Sequence, residues 1–260
     1  MLLSPRLPLT SKQFSRVFWT ATLALAALTA GTAQADTRKI FDAESPSWLR
    51  AVGKLQVPGV KYKQGHQLNH REDCSATLIT DSKSTAAKQA SADIIITAWH
   101  CLEFYKDLSK TITFTLLYGT EQSITRTAYR ISDGDSMDAD WAVLRLSQPI
   151  LASNITALRV HPGTEDKQRA IAMAGYSKNS PGARLSYDPD CSIIMPESPR
   201  QDGIASNCKA LKGASGGAVV QLSALGEPLL AGVISQGDGQ SLSVYVPVDK
   251  FRSAIQASLR

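Results

Sequence analysis

The sequence predicts an all-β chain closed by one C-terminal helix, and three observations carry that expectation. Short runs rich in β-branched residues recur along the chain, turn signals separate them, and only the last residues show a helical spacing of apolar positions. In the first half the runs are Ile94 to Thr97, Thr111 to Tyr118, Ile124 to Ile131 and Trp141 to Leu146. In the second half Ala218 to Leu222, Leu229 to Ser235 and Leu242 to Val248 are separated by Gly226-Glu227-Pro228 and Gly237-Asp238-Gly239, the pattern of consecutive antiparallel strands. Val248, Phe251, Ile255 and Leu259 then fall three or four apart, on one face of a helix that can pack against the body. Ser147-Gln148-Pro149 and Ser153-Asn154 break the strand pattern and place a crossover near residue 155. No internal repeat or low-complexity segment stands out.

The N-terminus reads as a leader. Arg6, Lys12 and Arg16 stand without acidic neighbours, an apolar stretch runs from Val17 to Ala30, and Ala33-Gln34-Ala35 offers a small-residue cleavage site before Asp36. The stretch is shorter than the ~20 residues of a spanning helix and is interrupted by Thr20 and Thr22. Residues 1–35 are therefore expected to be a signal peptide, and the mature protein to be exported to a periplasm or the medium, with no membrane partner once the signal is gone. Removal leaves roughly 225 residues, enough for one sizeable core or two small barrels. The net charge of +5 falls to about +2 when the three leader cations are subtracted, so nothing argues for a nucleic-acid partner.

Cys74, Cys101, Cys191 and Cys208 remain, and in an oxidising compartment two disulfides are their expected use, with three pairings open. A zinc site would call for close C-x-x-C spacing, which is missing. His66 and His70 are spaced i,i+4 near Glu72 and Asp73, but they lack the glutamate of H-E-x-x-H and sit among Lys61, Lys63 and Gly65, so a solvated loop is expected there. Asn154-Ile155-Thr156 matches a glycosylation acceptor of a kind common by chance. No metal and no cofactor are expected.

Three segments carry the chemistry. In Ile96-Thr97-Ala98-Trp99-His100-Cys101 an apolar strand ends in a histidine, a fixed mount for an imidazole that accepts and returns a proton at neutral pH. In Asp140-Trp141-Ala142-Val143-Leu144 an acid directly precedes an apolar strand that can draw it inside, where a carboxylate can fix the tautomer of an imidazole. Asp133, Asp135 and Asp138 lie just upstream, yet the spacing lacks the sixth-position glycine and terminal glutamate of a calcium loop. In Gly213-Ala214-Ser215-Gly216-Gly217-Ala218 a serine is framed by glycines, and the N–H groups of Gly213 and Ser215 can converge on a developing oxyanion.

Together, and in the order His, Asp, Ser, these segments resemble the chymotrypsin-like (trypsin-like) serine peptidases, whose usual strings are close to T-A-A-H-C, D-I-A-L-L and G-D-S-G-G-P. Cys74-Ser75-Ala76-Thr77-Leu78-Ile79 and Gly232-Val233-Ile234-Ser235 extend the resemblance over most of the mature chain. It implies two antiparallel six-stranded Greek-key β-barrels with a C-terminal helix, one from residues 36–155 carrying His100 and Asp140, the other from 156–260 carrying Ser215. It also implies a serine endopeptidase acting on protein or peptide substrates as a monomer, with a silent binding protein of the same fold as the alternative. Cys74 would pair with Cys101 and Cys191 with Cys208. Lys209, Ser235 and Gly237 would bind substrate, with Lys209 at the base of the primary specificity pocket. A cation there favours an acidic side chain, whereas Ile234 stands where glutamyl-specific relatives carry a histidine.

Trp99, Ala214 and Ala218 depart from the family strings in the manner of bacterial secreted relatives. Ala214 matters most. The relatives that are switched on by inserting a new N-terminus bury its ammonium against an aspartate at that position, and an alanine would leave the ammonium unpaired. The start Asp36-Thr37-Arg38-Lys39-Ile40 also lacks the family's Ile-Val-Gly-Gly. A chain beginning at Asp36 behind a short uncleavable extension should therefore titrate as fully active. An inert extended chain that gains activity on trimming would overturn this.

Overall fold

The computed structural model describes residues 36, 38–81, 90–180, 183–194 and 203–259, and the leader lies outside them. Their strands are β1 (Lys39–Ile40), β2 (Val52–Lys63), β3 (His66–Thr80), β4 (Ser91–Thr97), β5 (Ile112–Leu116), β6 (Ile124–Asp133), β7 (Ala142–Leu151) and β8 (Leu158–Val160). They continue with β9 (Ile171–Tyr176), β10 (Leu185–Cys191), β11 (Ile193–Ile194), β12 (Ile204–Ser206), β13 (Ala218–Leu222), β14 (Pro228–Gly237) and β15 (Ser243–Pro247). A single α-helix, α1 (Arg252–Ser258), follows a 3₁₀ turn at Val248–Lys250. No helix among the described residues is long and apolar enough to cross a membrane.

Two rings of six strands result. In the first, β2, β3, β4, β7, β6 and β5 pair antiparallel in that order, and β5 returns to β2. In the second, β10 and β11 are one strand bent at Ser192, and the order β9, β10/β11, β12, β15, β14, β13 returns to β9. At the bend the Ser192 N–H donates to Asn207 Oδ1 at 2.7 Å and its carbonyl accepts the Asn207 N–H at 3.1 Å. Both rings run first, second, third, sixth, fifth, fourth, which is the Greek-key order. β8, just after the expected crossover, lies parallel to both β3 and β14 and links the rings.

The local chemistry explains the strands. β4 and β7 place Ile94, Ile95, Ile96, Val143 and Leu144 wholly out of solvent, because these strands are covered on both faces and read as continuous apolar runs. The terminal helix buries Phe251 and Ile255. It lies against the first ring, with Phe251 6.0 Å from the Trp141 ring and Arg145 donating to the Ser258 carbonyl at 2.5 Å.

One expectation is corrected. His66 and His70 do not lie in a solvated loop. They belong to a long hairpin in which β2 and β3 pair from Val52↔Thr77 to Lys63↔His66. Gln64 and Gly65, with φ of 51° and 80°, form its two-residue turn, the double left-handed geometry that matches strand twist. β5 pairs with β2 only between Gly53 and Gln56, so Pro58 falls on a free edge where its missing N–H is harmless. Val57 and Val60, beyond Gln56, are still buried, and the Val60 N–H donates to the Phe104 carbonyl at 2.9 Å. Only at the tip, where Tyr62 is 71% exposed, does backbone pairing replace burial as the ordering force. His70 is held by Glu72 at 2.7 Å and meets the Phe104 ring edge-on.

The two rings are joined at Ser75, in β3. Its hydroxyl donates to the Gly213 carbonyl at 2.9 Å and accepts the Tyr176 N–H at 2.8 Å, while its own N–H donates to the Ser215 carbonyl at 2.8 Å. Ser75 is fully buried, so Ser75→Ala leaves one donor and one acceptor unmet and should lower stability by about 2 kcal/mol. Urea unfolding of the variant checks this, and a midpoint equal to the parent's would show that the joint contributes nothing.

Candidate active site

His100 lies in a 3₁₀ turn, Trp99–Leu102, at the end of β4. The Cys74–Cys101 disulfide ties that turn to β3 one residue away from Ser75. Strand β3 thus fixes both the histidine and the serine loop through adjacent residues. Asp140 immediately precedes Trp141 and β7, and since β7 pairs with β4 up to Thr97↔Ala142, the acid is delivered to the histidine by sheet register. Its carboxylate is 0% exposed. Oδ1 accepts the His100 backbone N–H at 2.9 Å, and Oδ2 accepts from His100 Nδ1 at 2.8 Å and from the Ser235 hydroxyl at 2.5 Å. An ionised carboxylate only accepts, so Nδ1 carries the proton and Nε2 is left with its lone pair. Asp138 is exposed and takes no part.

Ser215 stands in the turn that leads into β13. Gly213 and Gly216 have φ of +100° and +81°. A Cβ at Gly213 would lie 2.5 Å from the Tyr176 carbonyl oxygen, and one at Gly216 would lie 2.1 Å from Thr97 Oγ1 and 2.2 Å from the Ser75 carbonyl oxygen. Both positions therefore demand glycine for space as well as for backbone shape. Lys178 donates from its N–H to the Lys212 carbonyl at 2.9 Å and supports the loop from the other side. No backbone carbonyl among the described residues accepts the N–H of Gly213 or of Ser215. The Ser215 hydroxyl donates to the Ser235 carbonyl at 3.3 Å.

These groups line one groove of about 480 Å³, bounded by His100, Glu103 and Met137 on one side and by Ala210, Leu211, Lys212 and Ser235 to Gly237 on the other, with Ser215 between. Two other hollows, of about 440 and 690 Å³, meet at Ser47, Trp48 and Pro228 and contain no histidine or cysteine. The structure thus brings together His100, Asp140, Gly213, Ser215, Ser235 and Gly237. It sets Lys209 apart, outside the groove lining. Its backbone N–H donates to Asp188 at 3.0 Å, and its charge is felt by Asp36. The second disulfide joins Cys191 to Cys208. Both sulfur pairs near His100 and near Asp188 are disulfides, so neither cluster offers the thiolates a metal would take.

Sequence reasoning missed two roles. Ser75 carried no local signal beyond its place after a cysteine, and Ser235 was expected to meet substrate, whereas its hydroxyl serves Asp140. The N-terminal segment was also unforeseen. β1 pairs with β10, and the Arg38 guanidinium, 9% exposed, donates to Ser177 Oγ at 3.0 Å while forking onto Asp36. That ion pair holds the Asp36 carboxyl down at about 2. Asp140→Asn should cut turnover on the order of 10⁴-fold through the wrong imidazole tautomer, and Asp138→Asn should be mild. The reverse ranking in a kinetic comparison would move the orienting role to Asp138.

The trypsin family model matches residues 62–255, most of the chain. No curated protein matches it. With its two Greek-key rings, this chain belongs to the trypsin family.

Proposed function

We propose that the protein is a serine endopeptidase in which Ser215 is the nucleophile, His100 the general base and Asp140 the group that orients it. Membership of the family implies protein substrates. The observation that carries the finer reading is the buried Asp140 carboxylate bonded to His100 Nδ1, since it leaves the Nε2 lone pair free in a residue that lines one groove with Ser215.

The steps follow from this arrangement. A turn of the Ser215 side chain away from the Ser235 carbonyl takes Oγ toward Nε2. As Oγ attacks the scissile carbonyl carbon, Nε2 takes its proton, and the imidazolium is stabilised by Asp140. The carbonyl oxygen gathers negative charge that the N–H groups of Gly213 and Ser215 can meet. The imidazolium then gives its proton to the leaving amine, and an acyl-enzyme remains. Water repeats the sequence with His100 as base and releases the acid. The two halves, 36–155 and 156–260, divide the work, the first supplying base and acid and the second the nucleophile and oxyanion donors.

Two disulfides suit an oxidising compartment, and export with loss of residues 1–35 is part of this reading. The engagement of Asp36 and Arg38 with the body supports a mature chain that starts near Asp36 and needs no insertion of its N-terminus. Ser215→Ala should fold normally and lose hydrolysis and labelling by a fluorophosphonate probe, both of which the parent should show. Retention of turnover by the purified variant would remove the assignment, and failure of the parent to label would favour a silent binding protein.

A further inference from the structure

We infer that the protein cleaves after small apolar residues, alanine and valine foremost, because the side pocket next to Ser215 is closed by direct contact of its two walls. The inference rests on the acyl-transfer reading above. The leaving amine must face His100, which gives it its proton, so the side chain on the acyl side of the scissile bond faces the opposite wall of the groove. That wall consists of Ala210 to Lys212 and Ser235 to Gly237.

The two segments touch. A Cβ built on Gly237 would lie 2.4 Å from the Ala210 carbonyl oxygen and 3.1 Å from its Cβ, so the two walls meet at this point and leave only a shallow recess above it. Farther along, a Cβ at Gly239 would meet Leu211 Cδ2 at 3.1 Å. Behind the contact, Ser243 is wholly buried and locks the floor, its hydroxyl donating to the Cys208 carbonyl at 2.7 Å and accepting the Ala210 N–H at 2.9 Å. β14 and β15 remain paired through Gly237↔Ser243, and Asp238 continues the ladder by donating to the Leu242 carbonyl at 2.9 Å. The closed floor is therefore part of the sheet. Lys209 is not part of the groove lining, and the cation that is, Lys212, stands on this wall with the polar Ser235 and Gln236. The apolar surface the wall offers is that of Ala210, Leu211 and Ile234. An acidic, basic or aromatic side chain would have to part the walls and break the bonds that Ser243 makes.

The test uses the mature protein and a set of peptide anilides that differ only in the residue before the scissile bond: alanine, valine, leucine, phenylalanine, lysine and glutamate. Alanine and valine should exceed phenylalanine, lysine and glutamate in kcat/KM on the order of 10-fold or more. In Lys209→Ala the same ranking should hold. A preference for glutamate that Lys209→Ala abolishes, or a preference for phenylalanine or lysine, would overturn the closed floor while leaving the peptidase reading intact. A parent protein that hydrolyses none of the set and takes up no fluorophosphonate would overturn both.

Discussion

The buried carboxylate of Asp140 is the constraint on which the site depends. A carboxylate removed from water is expensive unless its oxygens are hydrogen-bonded, and here three donors meet it: the His100 backbone, the His100 ring and the Ser235 hydroxyl. Those donors come from the end of β4 and from β14, while Asp140 itself comes from the start of β7. Satisfying one charge therefore sets the spacing of three segments from two rings. The imidazole tautomer, the face that Nε2 presents and the position of β14 beside Ser215 all follow from it.

The rest of the site is built on two adjacent residues of β3. Cys74 fixes the histidine turn covalently and Ser75 fixes the serine loop by three hydrogen bonds. The serine loop also comes close to the strands that carry the histidine, because Gly216 packs directly against Thr97 and the Ser75 backbone. The relative placement of His100 and Ser215 is thus decided by a backbone segment. Tyr176, which backs the serine loop, is itself held by the Tyr118 N–H donating to its hydroxyl at 3.1 Å, and burial pushes its phenol up to about 12. It stays neutral wherever the protein is folded.

Much of this was legible in the sequence because strand signals are local. Ala218 to Leu222 reads directly as β13, and the runs at Ile94, Ile124 and Leu229 fall inside β4, β6 and β14. The hairpin of β2 and β3 was hidden because its tip, Tyr62 to Asn69, is exposed on both faces and shows no apolar alternation, and the turn at Gln64-Gly65 is a weaker signal than Asn-Gly. The matching Greek-key order of the two rings was legible only through the family resemblance and not from the strands themselves, since a shared path of strands needs a shared pattern of burial and no shared residues. Histidine, aspartate and serine stood out because strand ends and glycines frame them. Ser75 did not, and Ser235 stood out only as a substrate contact and not as a partner of Asp140, because a buried serine's hydrogen bonds depend on the groups it meets in space. Lys209 differs again: its distance along the chain from Ser215 suggests a pocket base, while its place outside the groove lining depends on contacts between segments far apart in sequence.

The split of the acid's hydrogen bonds between rings has a consequence for biosynthesis. A ribosome delivers the chain from the N-terminus, so His100 and Asp140 emerge long before Ser215 and Ser235. Until β14 arrives, Asp140 lacks one of its three donors and the groove has a single wall. On the proposed function, a partly made chain lacks both Ser215 and one wall of the groove, and so has nothing with which to attack its neighbours. The last strands to leave the ribosome complete the machinery, and the helix that follows them locks against the first ring, so the order of synthesis serves as a safety catch.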